Sequence, residues 1–148
     1  MILWRISAFA DLSGRGGLMA GGRWHRSGRP IVYLAETPSG AMLEVLVHLE
    51  IDPEDIPDNL RLLRIKIPDH VSMQVIDPLP AGWEGDTHRT REIGDSWLME
   101  NDNLLLRVPS AIMPHTHNLL LNPAHPQASL AEVTVETLHL DKRLFKEL

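Results

Sequence analysis

The sequence predicts an α+β fold, a mainly antiparallel, curved or two-part sheet with a few helices. Three observations carry that expectation. About seven short runs are apolar or alternate with period two, two longer stretches carry helical signals, and the two kinds come in mixed order instead of regular strand–helix alternation. With 148 residues, 43% of them apolar and 23% charged, the chain has the length of one ordinary domain and the material for one core. Residues 1–148 show no internal repeat and no boundary, and are read as a single domain.

Residues 3–7 read as a first strand. Gly14, Gly16, Gly17, Gly21 and Gly22 then place half of the ten glycines in nine positions, where backbone can approach a ligand closely. Residues 30–35 are a β-rich run with its proline first, where a strand tolerates it. Thr37 and Pro38 form a helix start, a capping hydroxyl before a proline at the first helical position, and the helix continues through 41–50 until Asp52 and Pro53 stop it. In 60–67, Leu63, Ile65 and Ile67 share one parity and Arg64 and Lys66 the other, a half-buried strand closed by Pro68. Residues 71–76 form another strand, and a hairpin would join the two. The Pro- and Gly-containing stretch 77–87 is a loop before a helix over 89–101, which turns Ile93, Trp97 and Leu98 inward and is weakened by Gly94. The runs 104–108, 118–121 and 131–140 complete the set. In the last, apolar parity switches between Val135 and Leu138, the mark of a bulge or a change of face.

Composition removes several function classes. A net charge of −6 and a pI near 5.7 argue against wrapping a nucleic-acid backbone. Without cysteine there are no disulfides, thiolate nucleophiles or cysteine metal sites, which suits a reducing cytosol. No apolar run approaches the roughly 18 residues of a membrane helix, and Arg5 interrupts the apolar start where a signal peptide would not. The expectation is a cytoplasmic chain with no membrane and no direct nucleic-acid partner. Charge is nevertheless uneven: residues 1–29 hold Arg5, Arg15, Arg23, Arg26 and Arg29 against the single acid Asp11, a local balance of +4. Guanidinium forks among glycines suit a small carboxylate or phosphate, and the plain alternative is solvated or surface-paired arginine.

There is no Walker loop, no Gly-x-Ser-x-Gly elbow and no His-Glu-x-x-His, and Gly14-x-Gly16 lacks the third glycine of a dinucleotide fingerprint. His115, His117 and His125 could hold a metal only if folded together; no carboxylate is interleaved among them, and no metal is expected. Glu44 is the stronger signal. Mid-helix among Ala41, Val45, Leu46 and Val47, it has an Arg or hydroxyl partner, or is kept protonated, or edges a ligand cavity, or else is exposed together with His48 one turn later. Tyr33, the one tyrosine, leads into this helix as core or as a ligand platform.

Taken together, Arg5 in Leu-Trp-Arg-Ile, Gly-Gly-Arg23-Trp24, Val-Tyr33-Leu-Ala-Glu, Ala41-Met-Leu-Glu44, Val-Pro-Ser110 and Asn122-Pro-x-His125-Pro resemble the RES domain family. The resemblance spans nearly the whole chain, in order and spacing, and departs at His117, where an acid is expected before Asn118. It implies an ADP-ribosyltransferase-like fold and the toxin of a bacterial toxin–antitoxin pair, causing growth arrest by cleaving or using NAD⁺ as glycohydrolase, phosphorylase or ADP-ribosyltransferase. By that resemblance Arg23, Glu44 and Ser110, matching the arginine, glutamate and serine of the family name, are the catalytic residues, and Arg5, Arg23, Trp24, Tyr33 and Ser110 bind substrate. The implied partner is an Xre-type helix-turn-helix antitoxin, with room for a homodimer and for a protein acceptor of ADP-ribose. The chemistry agrees: a pyrophosphate suits the +4 segment, Tyr33 or Trp24 could stack nicotinamide, and a carboxylate such as Glu44 suits the charge that develops on the ribose. A non-catalytic nucleotide-binding module and a protein-interaction module are the alternatives.

Overall fold

The computed structural model describes residues 1–48 and 58–145. In chain order these form β1 (Ile2–Ser7), α1 (Arg15–Met19), β2 (Val32–Ala35), α2 (Pro38–His48), β3 (Arg61–Lys66), β4 (Met73–Val75), α3 (Thr87–Glu100), β5 (Leu105–Pro109), β6 (His117–Leu121) and β7 (Glu132–Thr137). Short 3-10 turns lie at Trp83–Gly85, Pro126–Leu130 and Lys142–Phe145. The strands make one seven-stranded sheet in the order β4-β5-β6-β2-β1-β3-β7. It is mixed but mostly antiparallel, β4 and β5 being the parallel pair.

The period-two alternation decides which face each residue covers. Leu3, Val32, Leu34, Leu63, Ile65, Leu105, Leu119 and Leu121 form one apolar face, covered by Ile67, Val71, Leu104 and partly buried Leu12 and Ala128. The opposite parity receives the helices: Ala41 of α2 packs with Ile6 and Ala35, and Trp97 and Leu98 of α3 with Leu106, Val108 and Leu120. Thr37 caps α2 as the sequence suggests, its Oγ1 accepting the Gly40 N–H at 2.9 Å. The expected end of that helix, at residues 49–53, lies outside the described residues. Asp86 caps α3 by accepting from the Arg89 N–H, and left-handed Asn101 (φ 55°) ends it.

The expected hairpin of 60–67 with 71–76 does not form. β3 lies between β1 and β7, while β4 sits at the far edge beside β5. The connection cannot be a tight turn because Ile67 and Val71 are buried in the sheet face it crosses. At its end, the Ser72 hydroxyl accepts the Leu104 N–H and donates to the Gln127 amide oxygen, fixing the chain beside β5. The parity switch of the last strand is a change of face: β7 pairs with β3 without interruption from Glu132 to Thr137, Val133 packs on the first face and Leu138 on the second.

One seam of the sheet positions the site. β1 and β2 share a single paired position, Trp4 opposite Ala35. Beyond it, Arg5 and Ile6 of β1 and Tyr33 and Leu34 of β2 border a cavity instead of one another.

Candidate active site

That cavity has a volume of about 540 Å³, within the range of small-molecule sites. The parted strands form its base, the glycine-rich segment 16–25 one wall, and α2, Asn118 of β6 and the turn at Ala111 and Ile112 the rest. Arg5, Arg23, Trp24, Tyr33 and Glu44 all line it.

The arginine cluster divides by pairing. Arg15 is 3.0 Å from Asp11 and Arg26 is 3.0 Å from Asp95, both on the surface. Arg5 and Arg23 face the cavity. Among the described residues Arg5 makes one hydrogen bond, Nη1 donating to the Asp11 carbonyl at 3.2 Å. Burial lowers its pKa from the ordinary guanidinium value, and the Asp11 charge opposes that shift. A half-buried guanidinium with most of its five donors uncommitted is chemically suited to an anion. Arg23 is held by its neighbours: Nη1 donates to the Glu84 carbonyl at 2.9 Å, and its own carbonyl accepts from the Thr90 hydroxyl at 2.6 Å.

Glu44 satisfies parts of both expectations. Its side chain is 31% exposed and His48 Nε2 is 3.8 Å from Oε2, yet Oε1 accepts from Asn118 Nδ2 at 2.8 Å inside the cavity. One carboxylate oxygen is thus fixed by an amide while the other keeps free lone pairs. Trp24 lines the cavity but is 2% exposed, packed in the α3 core and tilted against Trp83 with ring centroids 5.9 Å apart. Tyr33 is half-buried, and burial pushes its phenol ionisation well above the ordinary range. Gly22 lets the tyrosine stand so close to the wall; a Cβ there would lie 2.5 Å from the Tyr33 oxygen.

Ser110 is placed differently. It is buried, and its Oγ accepts the N–H groups of Ile112 and Met113 at 3.1 and 3.2 Å. It shapes the turn whose Ala111 and Ile112 line the cavity. The three histidines considered for a metal are dispersed in role. His117 Nε2 is 2.6 Å from Asp77, His125 Nδ1 accepts the Gln127 N–H, and His115 adopts a left-handed turn conformation (φ 62°). Among the described residues no group of three or more metal-ligating side chains comes together, and no helix is long and apolar enough to cross a membrane.

Asn118 and His25 line the cavity without having been singled out from sequence. Asn118 stands beside His117, the position at which the resemblance departs, and an amide in an apolar strand carries no signal of its own. His25 follows Trp24 with no spacing pattern of its own, and only folding sets its ring against Tyr33.

Comparison with known proteins agrees with this architecture. The family model described as the RES domain matches residues 2–143. The chain is 59% identical to the protein named Toxin Res of Pseudomonas putida over 145 residues, 98% of this chain and all of that one. It is 42% identical over 137 residues to the Prs ADP-ribosylating toxin of a Sphingobium species, covering 84% of each. Among solved structures, the M. tuberculosis MbcT-MbcA toxin–antitoxin complex contains a similar fold, with a TM-score of 0.71 at 19% identity over 97% of this chain and 86% of that one. Matched by that model from the first strand to the last turn, and sharing more than half of its residues with a full-length relative, the chain belongs to the RES domain family.

Proposed function

We propose that this chain is the toxin of a toxin–antitoxin pair, acting in the cytoplasm by consuming NAD⁺. The observation that carries the reading is the convergence of Arg5, Arg23, Tyr33 and Glu44 on one cavity at the parted strands. The ADP-ribosylating relative supports the substrate, since ADP-ribose transfer draws on NAD⁺. Arg5 and Arg23 bind the pyrophosphate, to which guanidinium forks are matched in charge and shape. The face of Tyr33 supports the nicotinamide side.

The bond broken joins the ribose anomeric carbon to the nicotinamide nitrogen. Nicotinamide leaves with the bonding pair, which neutralises its ring, and positive charge develops on the ribose. Glu44, oriented by the Asn118 amide, stabilises that charge or fixes the ribose hydroxyls, an interaction that strengthens as the transition state forms. An oxygen of water or phosphate, or a protein side chain, closes the anomeric carbon and sheds its proton. Ser110 acts by holding the turn over the site. No metal enters this scheme. An Xre-type helix-turn-helix antitoxin restrains the toxin, and toxin copies pair around it.

The test is nicotinamide release from NAD⁺ by the purified, antitoxin-free chain. Running it with and without phosphate, and with labelled NAD⁺ in cell extract, sorts the three acceptors. Binding of NAD⁺ without release of nicotinamide would instead mark a non-catalytic nucleotide module.

A further inference from the structure

Against the glycine-rich wall lies a histidine that the scheme above does not use. His25 is 1% exposed, and each ring nitrogen meets a group of fixed character. Nε2 lies 3.1 Å from the Gly17 carbonyl oxygen, which can only accept, so Nε2 carries the hydrogen. Nδ1 is then the acceptor. The Gly22 N–H donates to it from 3.3 Å, and the Tyr33 hydroxyl, 2.7 Å away, donates as well. The Tyr33 oxygen in turn accepts the Trp24 N–H at 3.2 Å. One directed chain of hydrogen bonds therefore runs from Trp24 through Tyr33 and His25 to Gly17.

This chain has two consequences for the cavity. Tyr33 commits its single hydroxyl hydrogen to His25, so toward a ligand it presents a ring and a lone pair and offers no acid. It also ties the base of the cavity to its glycine-rich wall, because Tyr33 belongs to β2 and Gly17 to α1, and both line the cavity. A leucine or phenylalanine would fill the same space but could join neither group. Imidazole supplies one acceptor and one donor on opposite sides of a rigid ring.

We propose that His25, in its Nε2–H tautomer, is a positioning residue of the site: a strut that orients the Tyr33 phenol and sets its spacing from the Gly17 wall. The assignment rests on reading the cavity as the NAD⁺ site. In that role His25 touches no substrate and acts through Tyr33 and the glycine backbone.

The experiment follows nicotinamide release by the full chain carrying H25A, H25N, Y33F or the H25A/Y33F pair. The Asn amide oxygen stands near the place of Nδ1 and keeps the Tyr33 bond. H25A is expected to raise KM for NAD⁺ about tenfold while kcat changes less than about threefold. H25N should recover most of that loss, and the pair should be no worse in KM than H25A alone, because both changes break one chain. An unchanged KM in H25A, or a double variant whose KM loss is the product of the singles, overturns the proposal. If H25A does not fold, the comparison of H25N with wild type and the ring ¹⁵N spectrum of the wild-type chain decide. An Nε2–H ring with a slowly exchanging Tyr33 hydroxyl proton is expected, and an Nδ1–H ring is the contrary result. A wild-type chain that releases no nicotinamide with water, phosphate or cell extract as acceptor and binds no NAD⁺ refutes the NAD⁺ reading, and the tautomer then still tests the strut, so the two failures are told apart.

Discussion

The arginines of the first segment look alike in sequence and do different work in the fold. Asp11 and Asp95 neutralise Arg15 and Arg26 at the surface, whereas Arg5 and Arg23 reach the cavity with donors in hand. Charge counting could find the cluster but not the division, since partners such as Asp95 lie far along the chain. The division sets the first kinetic expectation. On the proposed function, Arg23→Ala removes charge-assisted bonds to bound substrate, so KM for NAD⁺ should rise about ten- to hundredfold. Glu44→Gln keeps shape and the Asn118 contact but loses the charge that matters as the glycosidic bond opens. It should lower kcat about a hundredfold or more and leave KM within about threefold. Steady-state kinetics on both variants check this, and wild-type turnover by Glu44→Gln would remove the carboxylate from the mechanism. Tyr33 supports a separate titration. Because burial raises its pKa in the folded state above the ordinary value of 10.0, the folded form holds its proton after the unfolded form has lost it. That contribution to stability is complete below about pH 10 and is lost as pH rises further. As the one tyrosine in the chain, its phenolate absorbance should appear in step with unfolding, and Tyr33→Phe should flatten the alkaline loss of stability.

At the scale of elements, the local signals were legible wherever one face of an element is buried. The alternation in 60–67 gave β3, and Thr37 with Pro38 gave the start of α2, because those patterns depend on neighbours within one element. Pairing was not legible: β3 and β4 are adjacent in sequence, yet buried Ile67 and Val71 carry the chain across the sheet. Gly94 shows a second limit. By propensity it weakens α3, costing roughly 1 kcal/mol against alanine. In the fold it is what allows α3 to dock, since a Cβ there would stand 1.6 Å from the Trp24 carbonyl oxygen. The contact is backbone on one side and a helix axis on the other, so neither can turn aside. Gly94→Ala should therefore destabilise by about 2–4 kcal/mol in spite of its better helix propensity. Urea unfolding measures it, and a gain in stability would show that α3 does not pack so tightly. The same shift moves Thr90, which holds the Arg23 carbonyl, so activity should fall at temperatures where the variant is still folded.

For the whole molecule, a net charge of −6 surrounds a cavity lined by two arginines and one glutamate. The helices that line it also expose apolar side chains. Leu18 and Met19 of α1 are 46% and 81% exposed, and Val47, which lines the cavity from α2, is 51% exposed. An inhibitory partner that closes the site must therefore combine apolar side chains for the rim with a carboxylate for Arg5 and Arg23, while tolerating the acidic remainder. On the proposed function, a C-terminal antitoxin segment with apolar side chains, ending in its own carboxylate, would supply that combination, and an arginine contact buried beneath it would supply much of its affinity. On the proposed function, occlusion of the cavity makes NAD⁺ and antitoxin mutually exclusive. The purified complex should bind no NAD⁺ at concentrations that saturate the free chain, measured by calorimetry. Trimming the antitoxin's last residues should restore nicotinamide release before it abolishes the complex. If the trimmed antitoxin inhibits as well as the intact one, or if NAD⁺ binds the complex and the free chain equally, restraint acts elsewhere than at the parted strands.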